Sequence, residues 1–145
     1  MFKSILVPVD GSIASNDVIE KAAAIARAFN SKVTVVCVID MYAFAGLGMD
    51  AAYGQAEYMT AASNEANHAV DSAKQFFEAA GMTAGTSVVE GQVIYKTILE
   101  TAALVEADLI VMGSHGRKGL EKLVLGSVAA QVLSHAHLPV MIVRA

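Results

Sequence analysis

The residues best suited to chemistry are glycines set at fixed intervals. Gly113-Ser114-His115-Gly116 is followed, after nine intervening residues, by Gly126-Ser127. Two close glycines let main-chain N–H groups approach an anion with no Cβ in the way. Gly126-Ser127 stands where a helical run begins, and a helix N-terminus beside a glycine turn attracts anions by geometry and dipole. Arg117, Lys118 and Lys122 lie between, against Glu121 alone, in a chain whose net charge is −4. Glycines after a strand are also ordinary turn formers, and spacing alone leaves the two readings level. The pattern lacks Gly-Lys-Ser/Thr and G-x-G-x-x-G, so P-loop hydrolysis is not expected.

Other candidates are fewer. Asp10-Gly11-Ser12 follows the first apolar run, and Asp40-Met41 the second. A carboxylate beside a polyphosphate repels it unless it faces a ribose hydroxyl or a metal ion; otherwise Asp10 is a turn former before Gly11. His115 could meet a phosphate or move a proton, and we read it as positioning or structural. His68, His135 and His137 have no metal-like company. Met41, Met49 and Met59 read as packing.

These residues need a scaffold. Ile5–Val9, Val33–Ile39, Asp108–Met112 and Val140–Val143 are short runs apolar on both faces, and Thr86–Glu90 is a weaker fifth. Such runs suit strands covered on both sides of a parallel sheet. Between them lie helical stripes. Val18, Ala22, Ile25 and Phe29 form one, with Ser15 as N-cap and Asn30 as stop. Met59, Ala62, Ala66, Ala69, Ala73, Phe76 and Ala80 form another, ended by Gly81. Ile94, Ile98, Ala102 and Val105 form a third, and Leu120, Val124, Val128 and Val132 a fourth. The alternation predicts an α/β fold, a parallel sheet with helices on both faces. Ligands of such sheets bind outside the carboxyl ends of the strands, where all the candidates fall. Met41–Gly54 reads as a long connection, functional or disordered.

Composition bounds the answer. A chain of 145 residues, 55% hydrophobic and 17% charged, suits one domain over residues 1–145 with a real core. The acidic balance argues against a general nucleic-acid binder. No run approaches the roughly 18 apolar residues that span a bilayer, and no signal peptide is visible. The single cysteine, Cys37, sits in an apolar run and reads as a small buried residue. It allows no intrachain disulfide, so a cytoplasmic location is expected.

Gly113, Gly116, Gly126 and Ser127 match the nucleotide-binding signature that the chain shares, by resemblance, with the universal stress protein family. Ile5–Ser12, Ala107–Met112 and His137–Arg144 resemble the family's other blocks, in the same order along the chain. The resemblance implies a Rossmann-like, adenine nucleotide alpha hydrolase-like open sheet of five parallel strands, order 3-2-1-4-5. It also implies ATP (or ADP or AMP) as ligand, with Mg2+ or Mn2+ carried on the phosphates. By that analogy Gly113, Gly116, Gly126 and Ser127 hold ribose and phosphates, and Pro8, Val9 and Asp10 line the cleft. Val38 meets adenine through its backbone; Met112, His115, Arg117 and Val128 complete the site. The last strand then lies at an apolar sheet edge, and an uncovered edge of this kind pairs with another chain. A homodimer through Val140, Met141, Ile142 and Val143 is expected.

Three readings follow. The first is a nucleotide-binding stress-response or signalling protein, whose occupancy orders 41–54 and 113–127 and is read by a regulatory partner. The second is a slow ATPase or autokinase, and the third a nucleotide-independent dimeric interaction module. No general base is visibly paired with a nucleophile, so binding with little or no turnover is expected.

Overall fold

The computed structural model describes residues 1–11, 14–41, 52–115 and 125–144. The elements are β1 (Ser4–Pro8), α1 (Ala14–Phe29), β2 (Lys32–Asp40), α2 (Ala52–Ala79), β3 (Ala84–Gly91), α3 (Ile94–Leu104), β4 (Leu109–Gly113), α4 (Ser127–His135) and β5 (Val140–Val143). The strands form one parallel sheet in the order β3-β2-β1-β4-β5, as expected.

Alternation along each strand divides the core into two layers. Ile5 and Val7 of β1 with Val9 just beyond it, Val33, Val35, Cys37 and Ile39 of β2, and Leu109 and Val111 of β4 pack under α1 and α2. Leu6, Val36, Ile110 and Met112 face the other way, under α3 and α4. Both faces of each central strand are therefore buried, which is why the runs read as continuously apolar. Each such side chain contributes about 1.5–3 kcal/mol when fully buried.

Helix α2 corrects two expectations. It begins at Ala52, so the end of the segment taken for a connection is helical; residues 42–51 lie outside the described part. Its buried stripe is Ala66, Ala69, Val70, Ala73 and Phe77, with Phe77 fully buried and Phe76 40% exposed. Four residues on from Ala73 returns to the sheet face and three does not, so the aromatic next to the expected one fills the core. In α1, Phe29 is exposed despite its place in the stripe, and Ser15 lies inside the helix, which starts at Ala14.

Three helices end alike at the amino end of the sheet. Asn30 (φ 54°), Gly81 (φ 83°) and Glu106 (φ 54°) are left-handed. After Gly81, Met82 N–H donates to Phe77 O (2.9 Å) and Gly81 N–H to Glu78 O (3.0 Å). After Leu104, Ala107 N–H donates to Ala102 O (2.8 Å) and Glu106 N–H to Ala103 O (3.1 Å). Both are Schellman closures, which satisfy the last carbonyls of a helix. Asn30 and Gly81 were legible as stops, whereas nothing about glutamate marks Glu106.

Candidate functional site

The winding reverses between β1 and β4. Helix α1, which follows β1, covers one face, and α4, which follows β4, covers the other. The crevice between the carboxyl ends of these two strands is where such sheets take ligands.

Pro8 helps to open it. Val9 N–H donates to Val36 O of β2 at 2.8 Å. Neighbouring residues in a strand turn to opposite sides, so the nitrogen of Pro8 is on the β4 side, without a proton to donate. The β1–β4 register stops at Leu6↔Ile110, just before the rung that would need that proton. On the other side, β1–β2 pairing ends at Pro8↔Val36. By the same alternation Val38 turns its main-chain groups toward the β1 side, past the last rung. Val9 is buried and Asp10 half-buried. Gly11 has φ 82°, a conformation that glycine adopts without penalty. Tyr58 Oη donates to Asp40 O at 3.0 Å and ties α2 to the end of β2.

At the end of β4 the chain is held from two directions. Ser114 N–H donates to Val143 O of β5 (3.0 Å), and Gly126 N–H donates to Ser114 O (2.7 Å). A Cβ on Gly126 would stand 2.8 Å from that same oxygen, so only glycine lets the start of α4 come this close. One at Gly113 would stand 3.4 Å from His115 O and from Val18 Cγ2 of α1. The Gly126 amide, expected from the spacing to be free for an anion, is already donated to Ser114. Among the described residues the first-turn amides of Ser127, Val128 and Ala129 have no main-chain partner, and the N-cap, Gly126, has no side chain to cap them. Ser127 is exposed and Val128 half-buried, while the Met112 side chain belongs to the core under α3 and α4.

His115 Nδ1 lies 3.1 Å from Ser114 Oγ. Its Nε2 is shielded from solvent and has no hydrogen-bond partner among the described residues. Gly116, Arg117, Lys118, Lys122 and Ser12, and the helical positions Leu120 and Val124, lie outside those residues. Among the described residues no three His, Cys, Asp or Glu side chains gather to hold a metal, and no helix is long and apolar enough to cross a membrane.

Two residues of this end were missed. Ser114, buried at 5% exposure, lay in plain view between Gly113 and His115. Gly91 closes β3, where a Cβ would sit 2.0 Å from Thr97 Oγ1 of α3; a lone glycine at a strand end was the available signal. In β5, which among the described strands pairs with β4 alone, Met141 is 39% exposed and Val143 is buried against the α1 layer. Val140 and Ile142 are half-buried on the α3/α4 side.

The chain matches the universal stress protein family over residues 1–144. Universal stress protein MJ0531 of Methanocaldococcus jannaschii is 35% identical over 144 residues, which cover 99% of this chain and 83% of that protein. Universal stress protein UspA from Lactobacillus plantarum has a similar structure, with TM-score 0.86 and 27% identity over 98% of this chain and 97% of that one. A universal stress protein in complex with cAMP is also similar, with TM-score 0.65 and 28% identity over 99% and 97% of the two chains. Strand order, the turn after β4 and this near-complete coverage agree: the chain belongs to the universal stress protein family.

Proposed function

We propose that the chain binds an adenine nucleotide, ATP foremost, in the crevice between β1 and β4 and acts as a homodimer in signalling. The observation that carries this reading is the seating of the start of α4 against Ser114 through Gly126, which brings first-turn amides without a partner among the described residues to the end of β4. Ser127, Val128 and Ala129 N–H groups take phosphate oxygens there, and Gly116 and Arg117 belong to the same binding set. The main chain of Val38 recognises adenine, and Pro8, Val9 and Asp10 line the wall. Asp10 faces a ribose hydroxyl or an Mg2+ or Mn2+ ion held through the phosphates. The cAMP complex of a related protein supports the adenine-nucleotide class.

Little turnover is expected. Turnover near ~1 per second, within the ordinary enzyme range, would instead establish the ATPase reading. Calorimetric titration of ATP into the wild type and Gly116→Val tests the site. Binding to the wild type and its loss in the variant are expected, because a branched side chain blocks approach to the turn. Equal affinities would refute the assignment, and a wild type that binds nothing would favour the nucleotide-independent module. The open β5 edge motivates the dimer; sedimentation of the wild type and Met141→Lys should show a dimer and a monomer respectively.

A further inference from the structure

We propose that His115 is a ligand-binding residue whose Nε2–H donates to an anionic oxygen of the bound nucleotide, with Ser114 fixing the tautomer. The inference rests on the nucleotide-binding reading and assigns a specific donor within it. The hydroxyl of Ser114 belongs to a residue only 5% exposed, and His115 Nδ1 is its partner at 3.1 Å. A buried hydroxyl proton without an acceptor is unfavourable, so the hydroxyl donates and Nδ1 accepts. In neutral imidazole the proton then resides on Nε2. That atom is closed to water and has no partner among the described residues. Buried donors are almost always paired in folded proteins, so an unpaired one calls for an explanation, such as a functional role or a missing partner. The same residue adjoins Ser114, whose carbonyl anchors the start of α4, so the orphan donor belongs to the turn that seats the first-turn amides of that helix.

Three variants and one resonance test this. In ligand-free protein, His115→Phe removes one unpaired donor but leaves the Ser114 hydroxyl without its acceptor, so its melting temperature should stay within a few degrees of the wild type. Its affinity for MgATP should fall about tenfold, the equivalent of one hydrogen bond. His115→Gln, whose amide nitrogen reaches the Nε2 position, should bind within about threefold of the wild type. His115→Asn, whose amide nitrogen stops near Nδ1, should bind like the phenylalanine variant. In long-range 1H–15N spectra of the wild type, the ring should show the Nε2–H tautomer, and Hε2 should move downfield on adding MgATP. If MgATP binds wild type and His115→Phe equally and Hε2 does not move, the inference is wrong and the nucleotide reading stands. If the wild type does not bind MgATP, that reading fails. Inorganic tripolyphosphate then decides: movement of Hε2 supports the donor role, and a static Hε2 overturns it. Should His115→Phe fail to fold, the wild-type resonance and the affinity of His115→Gln decide between the same two outcomes.

Discussion

The two ends of the sheet are built from different materials. At the amino end, side chains fasten the main chain. The Asp108 carboxylate accepts from Lys3 N–H (2.9 Å) and Ser4 N–H (3.0 Å), while Ser4 Oγ donates to Val105 O (3.1 Å). Ser31 Oγ donates to Phe2 O, Phe2 stands edge-on to Phe29, and Arg27 reaches Ala80 O. At the carboxyl end, side chains are withdrawn. Pro8 drops a rung, Gly11 turns left-handed, Gly91 leaves room for the Thr97 side chain, and Gly126 lets the start of α4 meet the Ser114 carbonyl where a Cβ would clash. An imidazole nitrogen there has no partner among the described residues. The contrast teaches that the chain satisfies one end by itself, while at the other main-chain donors of α4 find no partner among the described residues.

Substitutions can break this comparison, and the largest effect belongs to Gly91. Gly91→Ala places a methyl carbon against Thr97, and overpacking of this kind costs about 1–3 kcal/mol. Gly85, the second residue of the same strand, would have its Cβ 3.9 and 4.0 Å from its nearest neighbours, so Gly85→Ala should stay within about 0.5 kcal/mol of the wild type. Urea unfolding of the pair checks this, and equal effects would mean that the carboxyl end is no tighter than the amino end.

Next is Asp108. Its carboxyl is held below the usual carboxylate range first by the Lys3 N–H and then by the Ser4 N–H. A depressed acid stabilises the fold at pH values above its ordinary pKa, about 4. That contribution is lost as pH falls through the lower folded value. Asp108→Asn should therefore destabilise by about 1 kcal/mol at neutral pH. The difference from wild type should shrink in acid, and nucleotide affinity should not change. A weakened affinity would show that the two ends are coupled.

The smallest effect is at Glu106. Its left-handed backbone (φ 54°) costs a non-glycine residue about 1 kcal/mol, partly offset by the entropy glycine loses on folding. Glu106→Gly should raise stability by about 0.5 kcal/mol, visible as a higher urea midpoint with an unchanged slope.

Legibility in the sequence followed the range of the interaction. The strands and helices were legible because burial on both faces leaves unbroken apolar runs, as in Val33–Ile39. Asn30 and Gly81 were legible as stops because the left-handed turn selects those residue types. Glu106 was not, since the helix closure around it overrides its preference. The choice of Phe77 over Phe76 depended on helical phase across many turns. The Asp108 clamp was invisible because its partners lie more than a hundred positions away in sequence. Gly126 was legible as a glycine by a helix start, but its tie to Ser114 O needed the tertiary position of that carbonyl. The strand order and the residues of the crevice came with the family resemblance.

The most direct test of the central claim is the amide 1H–15N spectrum of the protein with and without MgATP. Nucleotide binding in the crevice predicts shifts at Val9, Asp10 and Gly11, at Val38, at Gly113 to His115 and at Ser127 to Ala129. Lys3, Ser4, Ser31 and Asp108 should stay where they are. Shifts confined to the amino end, or a spectrum that saturating MgATP leaves unchanged, would contradict it.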